Sequence, residues 1–389
     1  MTKYCFLSIL LFLSVQISFS QITENIADSN DGKKPKMQVV FALDATGSMG
    51  GLISAAKDKI WSIVSSLAQT QTAPDIEVGL IFYRDKGDDF ITRRIALTDS
   101  MDLVYSELMQ VSAKGGGDGP ESVNQGLNEA VELFNWDTDT STYKAIFLVG
   151  DYEPHMDYKN DVPYFVTCKI AKRKDIVLNT ILMGNNKTAG KIWKEIANCN
   201  EGAFVNVNMN VNDIDIATPY DSAIASINDQ LDDLRYYYGK TSVKEKSNLY
   251  KAKSKQMAFR SKINVKAQRA EYNFNYHKKE SSKKQHELIS DLASNNVLLD
   301  SIAKDQLPDE FKDMSTDSIA FFIKQKTALR DSLQQLLKGE VEKRNAYIET
   351  ELAKKSKVEV EGSFNNIIFT NIQKQTKKKN IQLKGKAKY

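Results

Sequence analysis

The stretch "VFALDATGSMGG", Val40–Gly51, runs from an apolar segment into a carboxylate, two hydroxyls at alternate positions, and then glycines. Such a strand end forms either a turn with a capping serine or the first loop of a cation site. Its flanks decide the fold. Upstream, "MQVV" extends the apolar strand. Downstream, "GGLISAAKDKIWSIVSSLAQT" places Leu52, Ile53, Ala56, Ile60, Ile63, Val64 and Leu67 at helical spacing. A continuous apolar strand leading into an amphipathic helix belongs to a parallel sheet covered on both faces.

The alternation continues along the chain. "IEVGLIFYRD" and "FITRRIALT" read as strands joined across "KGDD", which makes the second an antiparallel edge. "YKAIFLVGD", "IVLNTILMG" and "GAFVNV" read as further strands. "DLVYSELMQV", "PESVNQGLNEAVELF", "VPYFVTCKIAKRK", "TAGKIWKEIANC" and "TPYDSAIASINDQLDDLRYYYG" read as helices between and after them. Residues 37–239 are therefore expected to form an α/β domain, a doubly wound, mostly parallel sheet.

Two apolar strands end in aspartate, at Asp44 and Asp151. In open parallel sheets, ligands bind at the carboxyl ends of strands where the strand order reverses. If the two strands are neighbours there, Asp44, Thr46, Ser48 and Asp151 form a set of hard oxygen donors. That set suits Mg²⁺, with Ca²⁺ or Mn²⁺ as substitutes. The plainer alternative stays open: Ser48 caps the following helix and Asp44 accepts backbone hydrogen bonds. "GGGDGPE" lacks the Lys-Ser/Thr ending of a phosphate loop. Its Asp118 and Glu121 have capping-box spacing, with Pro120 in the first turn. Glu153, His155 and Asp157, in "GDYEPHMDY", are expected on the rim of the site. The chain has three histidines, and no Ser or Cys lies in an activating motif, so a binding protein is expected rather than an enzyme.

The ends and the cysteines set the compartment. "MTKYCFLSILLFLSVQISFSQ" has a basic start, a short apolar core and small residues before Gln21, so residues 1–20 read as a signal peptide. Residues 21–36 are a polar linker, and no later apolar run is long enough to span a bilayer. The mature chain is expected outside the cytoplasm, in a periplasm or beyond the cell. Cys5 departs with the leader. Cys168, mid-helix, and Cys199, at the end of the next helix, are expected as unpaired, partly buried thiols.

Residues 240–389 lack strand signals and are expected to be basic and mainly helical. They carry about +14 against about −11 for the part before them, which implies modules with separate partners or modules that attract each other. "SVKEKSNLYKAKSKQMAFRSKINVKAQRAEYN" reads as one well-solvated helix, and "HELISDLASNNVLLDSIAKDQL" as a second helical patch. A long helix capped by Ser315 carries an apolar stripe: Ile319, Phe322, Ile323, Leu329, Leu333, Leu336, Leu337, Val341, Ile348 and Leu352. A short helix in "SFNNIIFTNIQKQTKKKN" precedes a frayed basic tail. The lysine runs are a solvated face or a contact for an anionic envelope surface. Aromatic interleaving is too thin for nucleic acid.

The "DATGSM" element resembles the D-x-S/T-x-S motif of the von Willebrand factor A domain. "FLVGD", "WKEIANCNEGAF" and the "GGGDGPE" loop are similar to further elements of that family, and the resemblance covers about Met37–Tyr237. It implies a metal-ion-dependent adhesion site holding Mg²⁺, with Asp44, Thr46 and Ser48 on the first loop and Asp151 as the last ligand. Many members have a threonine on the second loop. Here Asp118 takes the corresponding place, so the resemblance implies a more negative site. It also implies a protein ligand at the metal-bearing face.

Overall fold

The computed structural model describes residues 34–67, 74–117, 119–207, 214–259, 261–279 and 286–389. The expected signal peptide and Asp118 lie outside the described residues. Among the described residues six strands form one sheet: β1 (Lys36–Asp44), β2 (Asp75–Tyr83), β3 (Thr92–Thr98), β4 (Tyr143–Gly150), β5 (Val177–Met183) and β6 (Phe204–Val207), in the order β3-β2-β1-β4-β5-β6. All neighbours are parallel except β3, the antiparallel edge beside β2. The order reverses at β1. There Leu43 pairs with Val149, so the loops after Asp44 and Gly150 leave the sheet side by side.

Alternate residues of β1 serve opposite faces. Val40 and Ala42 pack with α3 (Val123–Glu132), α4 (Tyr164–Arg173) and α5 (Lys187–Asn198). Phe41 and Leu43 pack with α1 (Ile53–Leu67) and α2 (Met101–Gln110). On the first of these faces Cys168 of α4 and Cys199, which ends α5, are joined as a disulfide. This corrects the expectation of free thiols. The two helices lie side by side, with the cysteine Cα atoms 6.0 Å apart, inside the range a bridge needs.

The C-terminal helices are α6 (Asp221–Asp233), α7 (Thr241–Ala258), α8 (Ile263–Lys279), α9 (Leu288–Ala293), α10 (Thr316–Ala353), α11 (Lys357–Glu361) and α12 (Phe364–Lys377). The single solvated helix expected after Gly239 is in fact α7 and α8. The chain turns near Ser261, whose hydroxyl donates to the Met257 carbonyl at 3.2 Å, so that α7 lies on α2 while α8 lies on α1 and α6. Nor is α8 solvated: Val265, Ala267, Arg269, Ala270 and Tyr272 are buried. The second helical patch shrinks to α9 and short 3-10 turns.

Helix α10 matches expectation. Ser315 Oγ accepts from Ser318 N at 3.2 Å, and Ile319, Ile323, Leu333, Leu337, Val341 and Ile348 are buried. Leu329 and Leu336 fall off the stripe and are exposed. The frayed tail is also corrected. Ile381, Leu383 and Tyr389 are buried, the Tyr389 hydroxyl bonds Ser363 at 2.8 Å, and its carbonyl accepts from Arg344 at 2.9 Å. Together α8, α12 and this tail share one apolar core with α1 and the sheet. Helix α1 is thus covered on its outer side as well. Trp61 is fully buried against Tyr105 and Tyr272, and Ser62 donates to Asn365 at 3.2 Å. Among the described residues, no helix is long and apolar enough to cross a membrane.

Candidate metal centre

The first loop starts where β1 runs out of partners. Asp44 is fully buried. Its Oδ1 accepts from the Thr46 amide at 2.8 Å and from the Thr46 hydroxyl at 2.6 Å. The Thr46 hydroxyl lies 3.1 Å from that of Ser48, which donates to Asp151 Oδ1 at 3.0 Å. A chain of oxygens therefore links the ends of β1 and β4: Asp44, Thr46, Ser48, Asp151. The turn that begins at Gly47 receives no side-chain cap. The capping role open to Ser48 is not taken, because its hydroxyl is turned across to Asp151. Asp44 does accept a backbone bond, but with one oxygen. Its Oδ2 is buried with no hydrogen-bond partner.

The second loop closes against the first. Gly47 N donates to Gly115 O at 2.8 Å, and Lys114 N donates to Ala45 O at 3.0 Å. Buried Arg84, at the end of β2, donates Nε to the same Ala45 carbonyl at 3.1 Å. Glu121 does not take the place of a capping-box acid. Helix α3 begins at Val123 behind Ser122, so Glu121 stands before the helix rather than in its first turn. Its backbone bridges instead to the loop after β4, through Glu121 N to Glu153 O at 3.0 Å and His155 N to Glu121 O at 3.1 Å. Its side chain turns inward, is 2% exposed, and leaves Oε2 without a partner.

Crowded, buried carboxylates resist ionisation. Burial pushes the Asp44 carboxyl up to about 7, against the Thr46 hydrogen bonds that pull it down, and the nearby Asp151 adds to the rise. Burial and the charge of Asp44 push Glu121 up to about 9. Burial also raises Asp151, and it lifts the phenol of Tyr83, beneath Asp44, well above its usual value. A cation is the group that would relieve this set. The residues fit one: a buried carboxylate oxygen lacks a donor, and two hydroxyls and a second carboxylate stand beside it. Among the described residues no three His, Cys, Asp or Glu side chains are gathered to hold a metal by themselves. Binding here would rest on mixed carboxylate and hydroxyl donors, Asp44, Thr46, Ser48 and Asp151, with water completing the shell.

The expected rim divides. Glu153 is half-buried and accepts from Asn186 Nδ2 at 2.8 Å, at the start of α5. His155 is buried rather than on the rim. It stacks on Tyr158 at 4.0 Å between centroids and contacts Asp157 through Nδ1 at 2.8 Å. Asp157 is exposed. Asp85 organises the cluster beneath, accepting from Ser122 Oγ at 2.9 Å and Tyr158 Oη at 2.8 Å. Trp193, fully buried in α5, donates Nε1 to the Tyr152 carbonyl at 3.0 Å and so fixes the backbone next to Asp151. Glu121 is the site residue that sequence reasoning missed as such.

Residues 38–207 match the von Willebrand factor A domain family. A putative ariadne-like RING finger protein of Acanthamoeba polyphaga mimivirus is 28% identical over 119 residues, which is 31% of this chain and 11% of that protein. Similar solved structures share low identity. The von Willebrand A domain of SpRpn10 is 14% identical over 45% of this chain and 90% of its own, at a TM-score of 0.36. Proximal thread matrix protein 1 from the mussel byssus is 16% identical over 45% and 42%, at 0.35. The pilus adhesin SpaC from Lactobacillus rhamnosus GG is 14% identical over 45% and 28%, at 0.34. On the family match and this sheet, residues 38–207 are a von Willebrand factor A domain, a protein-interaction module.

Proposed function

We propose that the protein is an exported binding protein, not an enzyme, which holds Mg²⁺ at Asp44, Thr46, Ser48 and Asp151 and docks a protein ligand on that face. Ca²⁺ or Mn²⁺ would serve as alternative ions. The observation that carries this reading is the buried, unpartnered Oδ2 of Asp44 at the head of the oxygen chain to Asp151. The ion would supply a positive centre where the bare site is a set of crowded carboxylates. Thr46 and Ser48 orient the acids, and Trp193 holds the loop that carries Asp151. Export is supported by the leader-like N-terminus and by the Cys168–Cys199 disulfide, a bond that persists in oxidising compartments.

The other expectation, an anionic envelope surface gripped by the C-terminal lysines, has less support. Lys262 pairs with Asp58 at 2.7 Å, and Lys378 and Lys379 pair with Glu201 and Asp175, so part of the basic charge faces inward. The test uses the full mature chain. Calorimetric titration with Mg²⁺ and capture of partners from an envelope extract are compared for wild type, wild type with chelator, and Asp44→Ala. Mg²⁺ binding and capture are both expected to vanish in the variant. Unchanged Mg²⁺ affinity in Asp44→Ala would refute the site.

A further inference from the structure

Glu121 is the feature that the proposed site leaves unused. It comes from the loop after the glycine run, yet its side chain is as buried as the core and faces the hydroxyl on which the first loop depends. Gly116 shows how close it lies. A Cβ built on Gly116 would stand 3.1 Å from Glu121 Oε1 and 3.3 Å from Thr46 Cβ, and Gly116 itself has a φ of +75°. The loop therefore packs over Thr46 and the glutamate too closely to admit a methyl group without a shift. Two buried carboxylate oxygens at this spot lack donors, Asp44 Oδ2 and Glu121 Oε2, and the Thr46 side chain interacts with both acids. A buried unpaired acid costs stability unless something arrives to pair it. Among the described residues no Lys or Arg is hydrogen-bonded to either oxygen, and the Arg84 guanidinium is spent on the Ala45 and Ser112 carbonyls and on Asp89.

We propose that Glu121 is an outer carboxylate of the cation site, which accepts hydrogen bonds from water on the ion and sets the orientation of Thr46. Among the described residues it does not form a three-acid cage with Asp44 and Asp151. Mg²⁺ keeps several waters when bound by few carboxylates, and these waters are what an outer acid holds. Three acids then face one divalent ion, so the filled site stays net negative. A docking partner then meets it with a neutral or basic group. This inference rests on the metal-site reading above.

The experiment titrates Mg²⁺, and separately Mn²⁺, into the full mature chain by calorimetry for wild type, Glu121→Gln, Glu121→Asp and Asp44→Asn. Metal-free melting curves confirm that each variant is folded. Glu121→Gln is expected to weaken binding by about ten-fold or more without lowering the metal-free melting temperature, and Glu121→Asp to recover part of the loss. Wild-type affinity in Glu121→Gln, or equal loss in Gln and Asp variants, overturns the role of Glu121. Wild-type affinity in Asp44→Asn instead overturns the metal site itself.

Discussion

Gly150 sits where the two acidic strand ends come closest. A Cβ there would run into the Tyr83 hydroxyl and lie 2.9 Å from Asp44 Cβ, inside the sheet where nothing can give way. Gly150→Ala is expected to destabilise the protein by about 1–3 kcal/mol, the cost of overpacking a rigid core, as a lower urea midpoint. An unchanged midpoint would mean that Asp44 has room to move. At this scale the sequence was informative where chemistry follows register. Asp44 and Asp151 were readable because apolar strands of known direction deliver their last residues to one edge. Thr46 and Ser48 follow Asp44 at fixed spacing. Glu121 was not readable, because Pro-Glu ahead of a helix has the pattern of a cap. Only the bridge to Glu153 and His155 turns its carboxylate inward.

Among elements, α4 and α5 frame the acidic end of β4. The loop after Asp151 runs into α4, and α5 supplies Asn186 and Trp193 to that loop. The Cys168–Cys199 bridge, spanning 31 residues of sequence, ties the two helices together behind it. Closing a loop of that length constrains the unfolded chain by about 2–4 kcal/mol. Reduction, or Cys168→Ser with Cys199→Ser, is expected to lower stability by that amount in urea titration. Equal midpoints with and without reductant would count against the bridge. The bridge was missed because side-chain direction depends on how two helices pack, which spacing does not encode. The same limit hid α8: its basic residues read as solvated, yet Arg269 is buried because acids on α2 and α6 wait for it. The periodicity of α10, by contrast, survived into its buried stripe, although Leu336 shows that a regular pattern can outrun the surface it packs on.

For the whole molecule, the opposed charge of the two halves meets at Arg269 of α8, which enters an acidic cluster that already holds Arg235 of the first half. Asp102 of α2 receives Arg235 at 2.6 Å and Arg269 at 2.8 Å, and Arg269 also holds Asp232 at 2.9 Å. Burial raises the Asp102 carboxyl, but the two guanidiniums outweigh it and hold the group well below the usual carboxylate range. A carboxylate depressed in the folded state stabilises above its unfolded value, near 3.9, and the benefit is lost as pH falls through the folded value. Asp102→Asn leaves the two buried guanidiniums to share Asp232 alone, and is expected to cost about 3–5 kcal/mol at neutral pH. The gap from wild type should narrow below about pH 4. Urea midpoints across that range check it, and a gap independent of pH would refute the assignment. The buried link from Ser62 to Asn365 has a further consequence, in time rather than in space. It joins residues 303 apart, and the Tyr143–Gln375 bond joins residues 232 apart. The outer side of α1 is covered first by α8 and is closed only when the segment 364–389 arrives. At ribosomal speed the stretch after Gly239 takes on the order of ten seconds or more to make. Until that segment arrives the sheet domain is a half-closed core, so the chain completes its fold late and from its far end.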